Sequence, residues 1–187
     1  MSRRRTLRSR RWLACLVAMV PVSTLLAMFI TVSPASADAY GVAIKSALGP
    51  GTNCLDDWED NQNPYGSALV DVFQCNGTLA QYYSYWNGDS TIQLSYSDTP
   101  SLCLDVAGGG TADGTPVRLY ACNATPAQTW DLLDLQSGGF QLVNPQSGKC
   151  LDDPDGQVTP PGGPPIQLQI WDCINNDLNQ LWNSYGF

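Results

Sequence analysis

Three copies of one cysteine pattern constrain the fold of this chain more than any other feature of its sequence. Each copy opens on Cys-Leu-Asp, in NCLDD (53–57), LCLDV (102–106) and KCLDD (149–153). Each runs on to a second cysteine, in VDVFQC (70–75), VRLYAC (117–122) and LQIWDC (168–173). A Gln-x-aromatic triplet follows, beginning at Gln81, Gln128 and Gln180. The first cysteines lie 49 and then 47 residues apart, and this period predicts one structural unit used three times.

The repeat also predicts how the cysteines pair. Six cysteines follow Cys15, and an even number in a secreted chain indicates disulfides. Because the units are equivalent, we expect each to join its own two cysteines, in the pairs Cys54–Cys75, Cys103–Cys122 and Cys150–Cys173. Closing a loop of about 20 residues stabilises the folded chain by about 3 kcal/mol on the chain-entropy model.

The first 37 residues have the organisation of a secretory signal peptide. Six arginines precede a long apolar run, which ends near Ala35-Ser36-Ala37, a small-residue cleavage pattern. We expect cleavage after Ala37 and secretion of residues 38–187. An uncleaved membrane anchor is the competing interpretation, because the apolar run is long enough to span a bilayer.

The composition of residues 38–187 excludes several functions. Three basic residues, Lys45, Arg118 and Lys149, stand against 17 acidic ones, a formal net charge of −14. Such a chain is a poor ligand for nucleic acids or anionic membranes, because phosphate binding needs clustered cations. The chain has no histidine, which excludes histidine catalysis and histidine metal ligands. We expect no cofactor, no metal and a monomeric chain.

Short alternating strands separated by Gly, Asn and Asp turns predict an all-β fold. Three units of about four strands each favour a closed, threefold, barrel-like body, because closure removes the exposed sheet edges. A propeller is the other repeat architecture, but three blades are too few.

The segments CLDVAGGGTADGTPVRLYACNATPAQTW (103–130) and QIWDC…NQLW (169–182) resemble the repeats of ricin B-type lectins. The carbohydrate-binding modules attached to many bacterial xylanases are similar. The resemblance implies a β-trefoil over residues 38–187, with repeats at about 39–88, 89–136 and 137–187. It further implies noncatalytic binding of glycans or polysaccharides of the galactose or xylose type, at one shallow site per repeat.

Strand alternation identifies the aromatic residue of each site. In the third repeat Leu168 and Ile170 point one way, and Gln169 and Trp171 the other. The same alternation turns Tyr120 outward in the second repeat, and Asp71 and Phe73 in the first. An exposed flat ring beside hydrogen-bonding groups suits a sugar, whose C–H face stacks on it.

The complete predicted site belongs to the third repeat, and the others are partial. The third-repeat site comprises Asp152, Gln169, Trp171, Asn179 and Gln180. In the second repeat the site comprises Asp105, Tyr120, Asn123 and Gln128, with Arg118 in place of the strand glutamine. The first retains Asp56 and Phe73, and Ala80 stands where an asparagine is expected. We expect the third to bind best and the first to be doubtful.

Three further interpretations follow from the sequence. The longer loop VTPPGGPPI (158–166) is predicted to wall the third-repeat pocket and narrow its specificity. A protein-binding trefoil, such as a secreted inhibitor, is the alternative function and would use a loop rather than the pockets. A glycosidase is disfavoured because no motif pairs two carboxylates across a cleft.

Overall fold

A computed structural model describes residues 38–49, 51–58, 68–96, 101–135 and 138–184, all within one compact unit. The predicted signal peptide, residues 1–37, lies outside the described residues. The described part contains thirteen β-strands and short 3-10 turns, and no α-helix. The strands are β1 (Ala39–Val42), β2 (Lys45–Ser46), β3 (Asn53–Asp57), β4 (Ala68–Gln74), β5 (Tyr83–Trp86), β6 (Thr91–Leu94), β7 (Leu102–Val106), β8 (Thr115–Ala121), β9 (Asp131–Leu135), β10 (Gly139–Asn144), β11 (Lys149–Asp152), β12 (Gln169–Asp172) and β13 (Trp182–Asn183). No described helix is long and apolar enough to cross a bilayer.

The strands close on themselves, as the repeat predicts. From β8 the pairing runs through β12, β11, β10, β13, β2, β3 and β4, and β4 pairs again with β8. The step from β13 to β2 joins the end of the third repeat to the start of the first, through Trp182 opposite Ser46. A ring of this kind leaves no open edge along its path, which suits a β protein without a covering helix.

Each repeat is built on one antiparallel pair of strands: β3–β4, β7–β8 or β11–β12. The first cysteine lies in the first strand of the pair, and the second cysteine directly follows the other strand. The three predicted disulfides are present, with Cα–Cα distances of 5.1, 5.0 and 5.1 Å. In every repeat the first cysteine lies directly opposite the outward aromatic, in the pairs Cys54–Phe73, Cys103–Tyr120 and Cys150–Trp171. The pocket aromatic is thus placed by the same strand register in all three repeats.

The inward positions of these strands fill the core. Val70, Val72, Val117, Leu119, Leu168 and Ile170 are all fully buried, as strand alternation predicts. Trp130 and Trp182 of the Gln-x-aromatic triplets are also fully buried, and Tyr83 takes the same place in the first repeat. Each indole donates a hydrogen bond to a backbone carbonyl, Trp130 to Leu104 at 2.9 Å and Trp182 to Leu151 at 3.3 Å. These three aromatic side chains therefore pack in the core of the barrel.

Candidate carbohydrate-binding sites

The third repeat forms a pocket of about 380 Å³ around the predicted residues. It is lined by Asp152, Pro154, Asp155, Gln169, Trp171, Ile174, Asp177 and Asn179. Trp171 keeps 40% of its surface exposed, whereas Ile170 beside it in β12 is fully buried. An apolar ring therefore stands open to solvent within reach of carboxylate and amide groups.

Asp152 is positioned by two side-chain amides. Gln169 donates to its Oδ2 at 2.8 Å, and Gln180 donates to its Oδ1 at 3.1 Å. Burial raises the pKa of Asp152, and these two hydrogen bonds offset part of the rise. Each carboxylate oxygen keeps a further acceptor position, so a held carboxylate can accept hydrogen bonds from two sugar hydroxyls.

Gln180 lies beneath the pocket, not on its wall. It is fully buried, and its amide is already in use: Oε1 accepts from the Ile174 backbone N–H at 2.8 Å, and Nε2 donates to the Asp172 carbonyl at 3.0 Å as well as to Asp152. Contact of Gln180 with a ligand stays a prediction. In this structure Gln180 holds the carboxylate of Asp152, which lines the pocket.

The same brace recurs in the other repeats. Gln128 and Gln81 are buried, and each accepts from the backbone N–H that follows the second cysteine, at 2.8 Å in both cases. Each also donates to the carbonyl that precedes that cysteine, at 3.1 and 3.0 Å. Gln128 reaches Asp105 at 3.1 Å, so it too supports the carboxylate from behind and does not line the pocket.

Two neighbouring segments complete the third pocket. Asp177 caps a 3-10 turn by accepting from the Asn179 backbone N–H at 3.1 Å, which presents Asn179 at the rim. Gly114 of the second repeat lies against Gln169 and Trp171 with a φ of +79°, a conformation that favours glycine. The platform of one repeat is therefore bordered by a turn from the repeat before it.

The second repeat forms a pocket of about 280 Å³ that brings together Asp105, Tyr120 and Asn123. Arg118 occupies the position of Gln169 and donates from Nε to Asp105 Oδ1 at 2.8 Å. Its guanidinium carbon lies 4.5 Å from the centre of the Tyr120 ring. One face of the predicted stacking platform is thus covered by a cation from its own strand.

The first repeat also has a pocket, of about 250 Å³, which brings together Asp56 and Phe73. Trp58, Asn76 and Gly162 line it as well. Asp71, which strand alternation turns outward with Phe73, is nevertheless fully buried, because the loop at 158–166 lies against its strand. Burial raises the pKa of Asp71, and the Thr159 hydroxyl offsets part of that rise.

The loop at 158–166 covers the first repeat instead of walling the third-repeat pocket. The Thr159 backbone N–H donates to the Val72 carbonyl at 2.8 Å, and that of Leu168 donates to Val70 at 3.0 Å. Gly162 of the loop lines the first-repeat pocket, whereas no residue of 158–166 is among those that line the third-repeat pocket. The loop therefore lies against the first repeat and not at the third-repeat pocket, because it runs back along β4.

Two pocket residues were not predicted, each for its own reason. Trp58 follows the first Cys-Leu-Asp segment directly, yet no motif marks it. Gln146 enters the second pocket from a turn of the third repeat, held by its hydrogen bond to the Gly109 carbonyl at 2.9 Å. A side chain that comes from another repeat, as Gln146 does, leaves no periodic signal in the sequence. Among the described residues, no group of three acidic or cysteine side chains is placed to hold a metal ion.

A closed threefold β body with a carboxylate–aromatic pocket on each repeat defines a lectin-type β-trefoil. Residues 41–182 match the family described as the ricin-type beta-trefoil lectin domain. The chain belongs to this family.

Individual proteins are similar to this chain in sequence or in structure. The probable lipoprotein EnvE of Salmonella typhimurium is 33% identical over 98 residues, 52% of this chain and 47% of that protein. Serine protease 1 of Rarobacter faecitabidus is 32% identical over 130 residues, 70% of this chain but 21% of the protease. The chain thus spans less than half the length of each relative. The designed threefold-symmetric protein ThreeFoil superposes with a TM-score of 0.63 at 24% identity, over 78% of this chain and 96% of its own.

Proposed function

We propose that this protein is a secreted, noncatalytic lectin that binds glycans or polysaccharides of the galactose or xylose type, principally through its third repeat. The observation that carries the proposal is the pair formed by Asp152, held by two glutamine amides, and Trp171, exposed beside it. A fixed acceptor next to an open ring matches a sugar, which has hydroxyls on its edge and C–H groups on its face.

The other parts of the proposal rest on chemistry and family. Three disulfides are typical of proteins that fold outside the cytosol, which supports secretion. The match to a lectin family supports a binding role without catalysis. Each shallow site should be weak, with a Kd of about 0.1–1 mM, and two working sites on one polysaccharide would raise avidity.

The test is a glycan and polysaccharide panel with the purified protein, followed by titration of each sugar that binds. Trp171→Ala should abolish binding at the third repeat, because it removes the stacking surface. Trp86→Ala is the matched control, since Trp86 is similarly exposed at 37% and lines none of the three pockets. Equal binding by the wild type and Trp171→Ala would contradict the assignment. A protein with no sugar ligand on the panel would favour a protein-binding trefoil.

A further inference from the structure

The three repeats differ in charge at one geometrically equivalent position. The carboxylate of each Cys-Leu-Asp segment lies directly across the strand pair from a single residue, in the pairs Asp56–Asp71, Asp105–Arg118 and Asp152–Gln169. The same register therefore presents an acid, a base and an amide. Because the surrounding fold is the same, a comparison of the repeats isolates the effect of the basic side chain on the charge of its pocket.

Arg118 neutralises its own pocket carboxylate and keeps donors to spare. Asp105 accepts from Arg118 Nε at one oxygen and from Gln128 at the other, and only 4% of its side chain is exposed. The Arg118 side chain is 25% exposed. Its two terminal nitrogens donate no hydrogen bond to any described residue. A guanidinium presents up to four N–H groups on those nitrogens, in a plane that matches a carboxylate.

The rest of the second pocket is uncharged. Its other polar side chains are the phenol of Tyr120 and the side chains of Asn123, Thr125 and Gln146. The third-repeat pocket, by contrast, is lined by three carboxylates, Asp152, Asp155 and Asp177. The first-repeat pocket is lined by Asp56 and Asp57. Neither contains a basic side chain among its described lining residues, so an anion would be repelled from both and accepted by the second alone.

We infer that the second-repeat pocket takes an acidic sugar, a pyranose that carries a carboxylate or sulfate group. The anionic group accepts hydrogen bonds from the terminal nitrogens of Arg118, and Asn123 and Gln146 lie within the pocket to meet the ring hydroxyls. This inference rests on the proposed sugar-binding function and divides the repeats by ligand: neutral sugars at the third, acidic sugars at the second.

The experiment compares sugars of the same ring configuration with and without an anionic group. Galactose is titrated against galacturonic acid and galactose 6-sulfate, and xylose against glucuronic acid, using the full chain carrying Trp171→Ala. At least one acidic sugar should bind this protein, and its neutral partner should bind at least tenfold more weakly. The carboxylate and sulfate probes distinguish the two kinds of anion. Binding of the acidic sugar should weaken as salt concentration rises, because the interaction is charge-assisted.

Two reciprocal variants assign the effect to the position. Arg118→Gln gives the second repeat the Asp–Gln pair that the third already accommodates, so the fold has a precedent for it. It should lower affinity for the acidic sugar by about tenfold or more. Gln169→Arg, made in the otherwise wild-type chain, should reduce neutral-sugar binding at the third repeat, because the new guanidinium pairs with Asp152 as Arg118 pairs with Asp105. Near-ultraviolet circular dichroism checks that each variant is folded.

The outcomes separate this inference from the proposed function. One outcome would overturn the inference and leave the proposed function standing. In it, neutral sugars bind in a way that depends on Trp171, and acidic sugars either do not bind or bind equally well to Arg118→Gln. Arg118→Gln could also gain neutral-sugar binding at the second repeat without losing any acidic ligand. This result would overturn the inference and show that Arg118 only blocks the pocket. Absence of every sugar would contradict both.

Discussion

Gln180 shows how one buried side chain can hold a pocket carboxylate in place. Its oxygen accepts from the Ile174 backbone, and its nitrogen donates to both Asp172 and Asp152. The amide therefore ties together the segment after the second cysteine and the carboxylate of the pocket. Gln128 makes the corresponding contacts in the second repeat. The glutamine of each Gln-x-aromatic triplet is best described as a positioning residue.

Gln180→Glu should therefore destabilise the fold and weaken sugar binding together. It replaces a donor by an acceptor that faces the Asp152 carboxylate and the Asp172 carbonyl, in a fully buried position. Leaving these buried acceptors without a donor should cost about 2–3 kcal/mol of unfolding free energy, measured by urea denaturation. Asn179→Asp is the neighbouring control for stability alone, because Asn179 is only partly buried at the rim and lines the pocket. Wild-type stability in Gln180→Glu would contradict the bracing role.

The two kinds of tryptophan should respond differently to the same change. Trp182→Ala opens a cavity in the barrel and should lower the unfolding free energy by about 3–5 kcal/mol. Trp171→Ala removes a ring that is 40% exposed and should cost well under half as much while abolishing third-repeat binding. Urea denaturation and sugar titration on the same two variants measure both quantities. Equal losses of stability would show that Trp171 is also a packing residue.

At the scale of the elements, the loop at 158–166 links the third repeat to the first. It follows the segment that carries Pro154 and Asp155 of the third-repeat pocket, runs along β4 and lies over Asp71, which is fully buried. Thr159 fixes the loop on both sides: its N–H donates to the Val72 carbonyl, and its hydroxyl oxygen accepts from the Ile166 N–H at 3.0 Å. The loop thereby becomes part of the first-repeat pocket through Gly162.

Thr159→Val should loosen this loop while preserving its shape. The variant removes the hydroxyl that accepts from Ile166 and that lowers the pKa of Asp71, in a side chain that is only 1% exposed. We expect a loss of about 1–2 kcal/mol and faster amide hydrogen exchange at Thr159 and Ile166. Thr159→Ser keeps the hydroxyl and should change both quantities less. Third-repeat sugar affinity should stay the same, and a change there would mean that the loop also shapes the third-repeat pocket.

At the scale of the whole molecule, buried carboxylates couple stability to pH. Asp153 is fully buried next to Asp152, and burial, followed by the negative charge of Asp152, raises its pKa to about 7. Asp71 lies close enough to Asp153 to raise that pKa further, and its own pKa is raised by burial. The chain that holds these groups carries 17 acidic residues in all, so neutral pH places many like charges on one small body.

The protein should therefore be more stable in mild acid than at neutral pH. The folded Asp153 keeps its proton up to about pH 7, while the unfolded carboxyl loses it near its usual value of 3.8. The folded state thus binds more protons between these values, and stability falls as pH rises through this window. Asp153→Asn should remove this part of the slope and raise stability at neutral pH, on the order of a few kcal/mol.

Urea denaturation across that pH window measures the effect in the wild type, in Asp153→Asn and in Asp131→Asn, a control at an exposed position. The two asparagine variants should differ most at neutral pH and least in acid. If the unfolding free energy of the wild type depended on pH in the same way as that of Asp153→Asn, the result would contradict a buried, protonated Asp153.

The sequence by itself determined the features that depend on local periodicity and covalent pairing. The threefold repeat predicted the three disulfides, and strand alternation predicted that Leu168 and Ile170 are buried and Trp171 exposed. These hold because neighbours along a strand alternate by geometry, whatever the rest of the fold does.

Only the tertiary structure decided the features that depend on contacts between distant segments. Asp71 is buried because a loop from the third repeat lies over it, and Gln146 enters the second pocket from another repeat. The glutamines act behind the pockets because the turn after each second cysteine folds back over the strand pair. The burial and charge of a side chain's surroundings are set by packing, which a single strand's pattern does not contain.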